Sequence, residues 1–406
     1  MNNCYEVATE NNVSPQTYPR RRVSQKNFAV VMDQMAACIG GAESVLFAIL
    51  DMYPDVSIYT TVYNRDIFPE QYKDIKIKAS IIQDLPFSKK LYKAYLPLMP
   101  FAIEHLDMQE YDLILSSHHC VSKGVIPRPD AIHICYCHSP ARYLWDLFWT
   151  YSRLNRFSPL KVIVTSMISH YMRIWDVCCS SRIDYFLANS TYTAHRIKKF
   201  YNRNSEILYP PVDTGKFSYE STGDYYLMAG RLVAYKGYEL AIEAFNESGK
   251  KLVIIGDGPE YQKLKNKIKP NITMLGRTSE EVLIKHMNNC KGFIFPGKED
   301  FGIVMAEAQA AGKPVIAYKA GGALDIVIHG ETGVLFNEQS TSSLNRAIYE
   351  AESRSWNHHF IREHSLMFDK KVFQRKLHYI LEHASSFQSK DFGQILSSTN
   401  QFKVML

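Results

Sequence analysis

Short apolar segments rich in β-branched and aromatic residues alternate with segments of helical periodicity along most of the chain. This alternation is typical of parallel β-sheets whose strands are connected by helices and whose two faces are both covered. It predicts an α/β fold of doubly wound parallel sheets. The predicted strands cover 28–32, 56–59, 111–115, 132–136 and 183–187 in the first half, and 225–229, 252–255, 272–275, 292–295, 315–317 and 334–336 in the second.

The length of 406 residues indicates two domains, because a single hydrophobic core stops growing at roughly 250–300 residues. The Tyr-Pro-Pro-Val-Asp segment at 209–213 is the expected linker, since two prolines fit neither a central strand nor a helix. The first domain is therefore predicted at 26–208 and the second at 209–369. We expect residues 1–25 to form a mobile arm and residues 386–406 a loose tail.

Composition excludes several classes of protein. The formal net charge of +6 is modest for this length and gives no reason to expect a nucleic-acid partner. No run of about 18 uncharged apolar residues occurs, so no transmembrane helix is expected. The eight cysteines form no CxxC pair, so neither a zinc site nor a disulfide framework is predicted, and a cytoplasmic protein with reduced thiols is the simplest interpretation.

The strongest motif follows the predicted strand 292–295. Residues 297–307 read Gly-Lys-Glu-Asp-Phe-Gly-Ile-Val-Met-Ala-Glu, a loop that leads into a helix beginning near Gly302. Ligands of open α/β sheets bind at the carboxyl ends of strands, and a helix N-terminus there suits an anion or sugar hydroxyls. By themselves, Glu299 and Asp300 could merely interact favourably with the dipole at the N-terminus of this helix. Glu307, however, lies among apolar neighbours, and its carboxylate should have a partner.

A second motif, Gly230-Arg231-Leu-Val-Ala-Tyr-Lys236-Gly237, follows the strand 225–229. Arginine and lysine on a glycine-flanked loop suit a diphosphate, although two solvated cations are the commoner outcome. In the first half, Gly40 and Gly41 follow the first strand and could let a phosphate approach the backbone.

Histidines mark the ends of two other predicted strands. His138 follows the strand 132–136 directly before Ser139 and Pro140, where a near-neutral imidazole suits catalysis. A lone histidine is more often structural, and His118 and His119 compete for the same role.

Together these motifs resemble the retaining glycosyltransferases of family 4, which have the GT-B fold of two Rossmann-like domains facing a central cleft. The resemblance covers most of the chain. The segment 138–146 further resembles bacterial mannosyltransferases that build surface polysaccharide or O-antigen. The segments that occur in the family's order and spacing are 230–237, 256–260, 299–307, 312–317 and 330–333.

The resemblance implies that the second domain binds a nucleoside diphosphate sugar. Arg231 and Lys236 would hold the diphosphate and stabilise the leaving group, while Glu307 would bind the ribose hydroxyls. Glu299 would orient the donor sugar.

The backbone of Phe301 and Gly302 would share in orienting that sugar, and the backbone near Gly276 and Arg277 would meet the base.

From the first domain, the resemblance implies that Gly40 and Gly41 close on the phosphates and that His138 lies near the anomeric carbon and the acceptor. It also implies that a last helix, around 370–385, returns to the first domain.

The family retains the anomeric configuration and needs no metal or other cofactor. The chain has no Asp-x-Asp motif, so cationic side chains would do the work of a divalent ion. The resemblance favours GDP-mannose as donor, with UDP-sugars next, and a glycan or polyprenyl-diphosphate-linked acceptor in surface polysaccharide synthesis.

A basic, aromatic stretch suggests peripheral contact of the first domain with an anionic membrane at the cytoplasmic face. A solvated helix face over an ordinary core is the alternative. The cations are Arg142, Arg153, Arg156, Lys161, Arg173, Arg182, Arg196, Lys198, Lys199 and Arg203, the aromatic residues are Trp145, Phe148, Trp149, Tyr151 and Phe157, and a second such stretch covers 89–96.

Three further functions stay open. A nucleotide-sugar or NAD-dependent oxidoreductase is disfavoured, because the Gly256-Asp257-Gly258 segment lacks the third glycine of the dinucleotide fingerprint. A phosphorylase of the same fold would need a pyridoxal lysine that the sequence does not identify. A non-catalytic partner protein would not need the complete set of Arg231, Lys236, Glu299 and Glu307.

Overall fold

The computed structural model describes residues 27–36, 40–146, 148 and 158–384. In the first domain these residues form a seven-stranded parallel sheet of order β3-β2-β1-β4-β5-β6-β7. Its strands are β1 (Phe28–Met32), β2 (Ser57–Thr60), β3 (Ile77–Ala79), β4 (Leu113–His118), β5 (Ile132–Cys137), β6 (Tyr185–Ala188) and β7 (Glu206–Ile207).

Alternate side chains of the central strands cover the two faces of this sheet, because successive residues of a strand point in opposite directions. Val30 and Leu115 lie in one hydrophobic cluster, whereas Val31 and Ile114 lie in another. The described helices of this domain are α1 (Gly41–Leu50), α2 (Ser88–Leu91), α3 (Met99–Glu104), α4 (Pro159–Cys179) and α5 (Thr191–Tyr201).

The second domain is a six-stranded parallel sheet of order β10-β9-β8-β11-β12-β13. Its strands are β8 (Tyr225–Ala229), β9 (Lys251–Ile255), β10 (Ile272–Gly276), β11 (Gly292–Phe295), β12 (Val315–Tyr318) and β13 (Gly333–Phe336). Its helices are α6 (Tyr238–Ser248), α7 (Tyr261–Lys265), α8 (Glu280–Asn289), α9 (Ile303–Ala310), α10 (Ala323–Ile326), α11 (Thr341–Glu352) and α12 (His358–Ser365).

The chain crosses back to the first domain in helix α13 (Lys370–His383). Phe373 and Leu377 of this helix are buried in the same cluster as Val30 and Leu46 of the first domain. The Gln374 amide also donates to a backbone carbonyl of α1 at 2.9 Å. The last helix therefore completes the core of the first domain.

The predicted α/β fold with two parallel sheets is confirmed. β3 and β7 were not predicted, because they are edge strands of two or three residues with little buried surface. β4 extends three residues beyond the predicted end, through Ser116, Ser117 and His118, which are polar but fully buried. The predicted arm 1–25 and tail 386–406 lie outside the described residues.

Candidate active site

Three loops stack at the carboxyl ends of β8, β11 and β12. A Cβ atom on Gly297 would lie 2.5 Å from the Cα of Lys236, and one on Gly322 would lie 2.1 Å from the carbonyl oxygen of Phe301. Only glycine permits such close approach of backbones. The loop that carries Glu299 is thus held between the loop of Arg231 and Lys236 and the loop that follows β12.

A lysine and a glutamate from two of these loops form an ion pair. Lys236 Nζ lies 3.0 Å from Glu299 Oε1, and the two side chains are 13% and 19% exposed. Gly230 has φ of +131°, and a Cβ there would lie 2.9 Å from Lys236 Nζ, so the ammonium folds back over the loop. The exposed Arg231 guanidinium forms no ion pair with a described residue. With respect to the described part of the chain, the loop therefore presents one unpaired cation and one that a ligand anion could share with Glu299.

Helix α9 begins at this point with its first turn uncapped. Gly302 is the N-cap residue, has φ of +91° and offers no capping side chain, so N–H groups of the first turn remain available to an anion. The Phe301 side chain, by contrast, is buried against the rings of Tyr209 and Phe368, with centroids 5.7 and 5.5 Å away. Only the backbone of Phe301 can meet a ligand, as the resemblance implies.

Glu307 lies one helical turn further along α9. No described residue donates a hydrogen bond to its carboxylate. Burial raises the pKa of Glu307 to about 7, nearby Glu280 adds to the rise, and Lys216 and Lys236 oppose it. A carboxylate with unused acceptor positions beside a cationic loop suits neutral hydroxyl donors, such as those of a ribose.

Gly276 and Arg277 lie at the carboxyl end of β10, two strands from Arg231 in the sheet. The Gly276 carbonyl accepts a 2.8 Å hydrogen bond from the Gly256 N–H, which joins the ends of β9 and β10. Arg277 is exposed and forms no ion pair with a described residue. Both residues therefore border the same edge of the sheet as the cationic loop.

The first domain brings its own helix N-terminus to this site. Gly40 is the N-cap of α1, and its N–H donates to Glu43 Oε2 at 2.8 Å. A Cβ on Gly41 would lie 3.1 Å from the Ile303 side chain at the start of α9. The N-termini of α1 and α9 thus face each other across the domain boundary.

His138 follows β5 and lies on the first-domain side of the cleft. Its Nε2 is 2.7 Å from the hydroxyl of Ser117. Burial lowers the pKa of His138 to about 3, and the neighbouring His119 adds to the effect. The imidazole is therefore neutral at physiological pH.

The two competing histidines have separate environments. His118 is fully buried, with its Nε2 4.0 Å from Asp176, so it cannot meet a ligand. His119 is one-third exposed, and its Nδ1 lies 2.9 Å from Asp33. Burial opposes the charge of His119, but the Asp33 carboxylate outweighs it and raises the pKa of the imidazole. The ring of His119 also lies beside that of His138, with ring centroids 6.4 Å apart.

Asp300 joins the two domains, a role that the sequence did not predict. Its Oδ1 lies 2.9 Å from Arg196 Nη1 and accepts a 3.1 Å hydrogen bond from Ser139, and its Oδ2 lies 3.6 Å from Arg142. Burial raises the pKa of Asp300, although the two arginines oppose the rise. Since Ser139 follows His138 and Asp300 follows Glu299, this cluster links both walls of the site.

Most described cations of the predicted membrane surface bond within the protein, and the membrane contact itself stays a prediction. Besides the two arginines bound to Asp300, Arg173 donates to the Leu144 carbonyl, Arg182 to Glu104, and Arg203 to the Ser180 carbonyl. Arg153, Arg156, Trp149, Tyr151 and Phe157 lie outside the described residues. The described arginines consequently stabilise the domain itself.

Within the described ranges, no three His, Cys, Asp or Glu side chains are grouped to hold a metal ion. None of the helices in that part of the chain is both long and apolar enough to cross a bilayer.

Residues 214–365 match the family described as Glycosyl transferases group 1. An uncharacterised glycosyltransferase of Methanocaldococcus jannaschii is 28% identical over 198 residues, which are 48% of this chain and 56% of that protein. A GDP-mannose-dependent alpha-mannosyltransferase of Corynebacterium glutamicum is 36% identical over 109 residues, 27% of this chain and 26% of the relative. The chain thus spans about half of the first relative and about a quarter of the second.

Solved structures resemble nearly the whole chain. HepE of Anabaena, in complex with UDP-glucose, superposes with a TM-score of 0.63 at 18% identity, covering 89% of this chain and 100% of HepE. At that identity the likeness concerns the fold alone. The chain therefore has the two-domain GT-B fold, and most of its second domain matches the Glycosyl transferases group 1 family.

Proposed function

We propose that the protein is a glycosyltransferase that moves a hexose from a nucleoside diphosphate sugar to an acceptor hydroxyl. The observation that carries the proposal is the grouping of Arg231, the Lys236–Glu299 ion pair and Glu307 around the uncapped N-terminus of α9. Among the described residues, Arg231 has no ion-pair partner and Glu307 has no hydrogen-bond donor. This set combines cations and N–H groups for a diphosphate with carboxylates for hydroxyl groups.

Each residue takes part in binding the donor. Arg231 and Lys236 hold the diphosphate, and Lys236 exchanges part of its contact with Glu299 for a phosphate oxygen. Glu299, released from that contact, accepts hydrogen bonds from the donor sugar. Glu307 accepts them from the ribose, and the backbone near Gly276 and Arg277 borders the base.

The favoured donor is GDP-mannose. The relative from Corynebacterium glutamicum is named as a GDP-mannose-dependent enzyme, and its alignment supports this choice. A UDP-sugar is the alternative, supported by the UDP-glucose bound in the similar HepE structure.

The proposed reaction retains the configuration at the anomeric carbon. The bond from that carbon to the diphosphate oxygen breaks, and the acceptor oxygen attacks from the same face as the acceptor proton passes to the departing oxygen. Cationic groups stabilise the charge that develops on the diphosphate, so the scheme requires no metal ion. His138, neutral and held by Ser117, accepts a hydrogen bond from a sugar hydroxyl at this position.

We propose a glycan or a polyprenyl-diphosphate-linked sugar as acceptor, in the synthesis of a surface polysaccharide at the cytoplasmic face of a membrane. The resemblance of segment 138–146 to mannosyltransferases of such pathways supports this acceptor class.

The test is release of free nucleoside diphosphate from GDP-mannose, UDP-glucose and UDP-N-acetylglucosamine, each with and without lipid extract as acceptor. We expect release from one donor, and its loss in the Arg231→Ala variant. Lys285→Ala, which removes an exposed cation of α8, is the matched control and should keep wild-type turnover. Binding of the nucleotides without turnover of any donor would favour a non-catalytic protein, and hydride transfer to NAD would favour the oxidoreductase.

A further inference from the structure

Helix α4 exposes a wide apolar face to solvent. Seven large apolar side chains of this helix are between 38% and 71% exposed. At 3.6 residues per turn they fall within an arc of roughly 140°. At roughly 100 Å² for each half-exposed large side chain, they exceed the ~300–600 Å² of the largest apolar patch on a typical monomer. The seven are Leu160, Ile163, Val164, Met167, Tyr171, Ile174 and Val177.

The opposite face of α4 is fixed in the domain, so the helix cannot rotate to bury this patch. Asp176 is fully buried, pairs with the equally buried Lys123, and accepts hydrogen bonds of 2.9 Å from both Trp145 and Tyr201. Rotation would leave a buried ammonium without its carboxylate, which is strongly unfavourable. The apolar face is consequently a permanent feature of the surface.

A second exposed apolar segment lies in the same layer of the first domain. Phe87 is 75% and Leu91 51% exposed, and Phe87 has φ of +54°, a conformation that bulky residues rarely adopt. Residues 92–96 and α4 both pack on one cluster, together with Val31 and Ile114 from a single face of the sheet. Both elements therefore turn their exposed side chains away from that face of the sheet.

The charge around these apolar residues is positive. Lys89, Lys90 and Lys93 are exposed between Phe87 and Leu98, a segment that contains no acidic residue. The only acidic residue of α4 is the buried Asp176, whereas Lys161 is exposed. Lysine is depleted in protein–protein interfaces, but it suits anionic headgroups when it flanks apolar side chains that enter the interfacial layer.

We infer that the apolar face of α4 and the lysine-flanked segment 87–98 form a docking surface for an anionic lipid bilayer. This inference deepens the proposed function, on which it rests for the supply of a lipid-linked acceptor. The predicted membrane surface already contained Lys161 and the lysines of 89–96. The docking surface keeps these lysines, adds the exposed apolar side chains of α4, and excludes the arginines that bond within the protein.

The test is co-sedimentation of the full chain with vesicles of phosphatidylcholine alone and of phosphatidylcholine with phosphatidylglycerol. We expect binding to the anionic vesicles only. It should weaken between about 0.1 M and 1 M salt, as the Debye length falls from about 10 Å to about 3 Å.

Two variants separate the apolar and the charged contributions. Ile163→Ser with Met167→Ser should weaken binding roughly tenfold through lost apolar contact. Lys89→Glu, Lys90→Glu and Lys93→Glu together should weaken it roughly a hundredfold or more. The matched controls in the second domain are Tyr349→Ser and Lys285→Glu, which should bind as the wild type does.

Equal binding to both vesicle types, or unchanged binding of both variants, would overturn the inference. The inference would also fail if the wild type bound no lipid and light scattering showed a dimer that the α4 variant dissociates. The apolar face would then bind a second copy of the chain. Release of nucleoside diphosphate in solution is measured on the same variants. If the wild type binds vesicles but releases no nucleoside diphosphate from any donor, the proposed function is refuted and the docking surface is still supported.

Discussion

Replacing Glu307 by Gln should stabilise the protein at alkaline pH while weakening nucleotide binding. The folded protein raises the pKa of Glu307 from its ordinary 4.5 to about 7, so the folded state binds a proton more tightly than the unfolded state does. The contribution of Glu307 to stability is therefore greatest below pH 4.5 and declines as the pH rises to about 7. Glutamine resembles the protonated side chain and avoids this decline.

The magnitude follows from the two pKa values. A tenfold difference in proton affinity corresponds to about 1.4 kcal/mol, so the full effect is about 3 kcal/mol. The side chain is partly solvent-accessible, which screens its charge and reduces the expected gain to about 1–2 kcal/mol. For a domain of this size, that gain raises the melting temperature by about 2–8 °C.

Thermal denaturation of the wild type and of Glu307→Gln at pH 5 and at pH 8 measures this difference in melting temperature directly. The variant should melt above the wild type at pH 8, and the difference should largely vanish at pH 5. Adding GDP or UDP should raise the melting temperature of the wild type more than that of the variant, because a neutral amide with one acceptor oxygen replaces the charged carboxylate that accepts from the ribose hydroxyls. Glu281→Gln, an exposed glutamate of α8, is the control. A variant that is less stable than the wild type at pH 8 would refute the reasoning.

The remaining predictions concern the diphosphate, the metal and the domain contact. Arg231→Ala and Lys236→Ala should each lower donor turnover by about 10²–10³-fold, measured as nucleoside diphosphate release, with unchanged circular dichroism; near wild-type turnover in both would contradict the assignment. Turnover should survive EDTA; complete loss, with rescue by magnesium or manganese, would show that a metal takes part. Asp300→Asn leaves Arg196 and Arg142 with Asp146 as their remaining carboxylate and should cost about 1.5–3 kcal/mol in urea denaturation, whereas Asp130→Asn, at an exposed ion pair, should cost less than about 1 kcal/mol.

Local patterns predicted the strands and loops that build the second domain. β8 and β11 have the predicted bounds, because each is a short, nearly fully buried strand between turn-forming residues. The loops after these strands bring Lys236 and Glu299 together, since parallel strands end at the same edge of a sheet. The local sequence thus contains most of the candidate donor site.

The two adjacent histidines were beyond local prediction. His118 ends β4 and points into the buried cluster around Asp176, whereas His119 lies beyond the strand and meets Asp33. Neighbouring residues at a strand end differ in environment because the pleat turns successive side chains to opposite sides. What lies on each side depends on Asp176, 58 positions after His118, and on Asp33, 86 positions before His119.

The same limit explains the two consecutive acids of the loop after β11. Glu299 pairs with Lys236 of its own domain, whereas Asp300 pairs with Arg196, 104 residues earlier and in the other domain. Sequence periodicity does not relate residues so far apart. The sequence around Arg196 would look the same if this arginine were solvated on the surface. Because the two acids are neighbours in one loop, any displacement of Asp300 from the first domain also moves Glu299. The position of Glu299 against the donor sugar is therefore coupled to contact between the domains, and Asp300→Asn should lower turnover of the donor as well as stability.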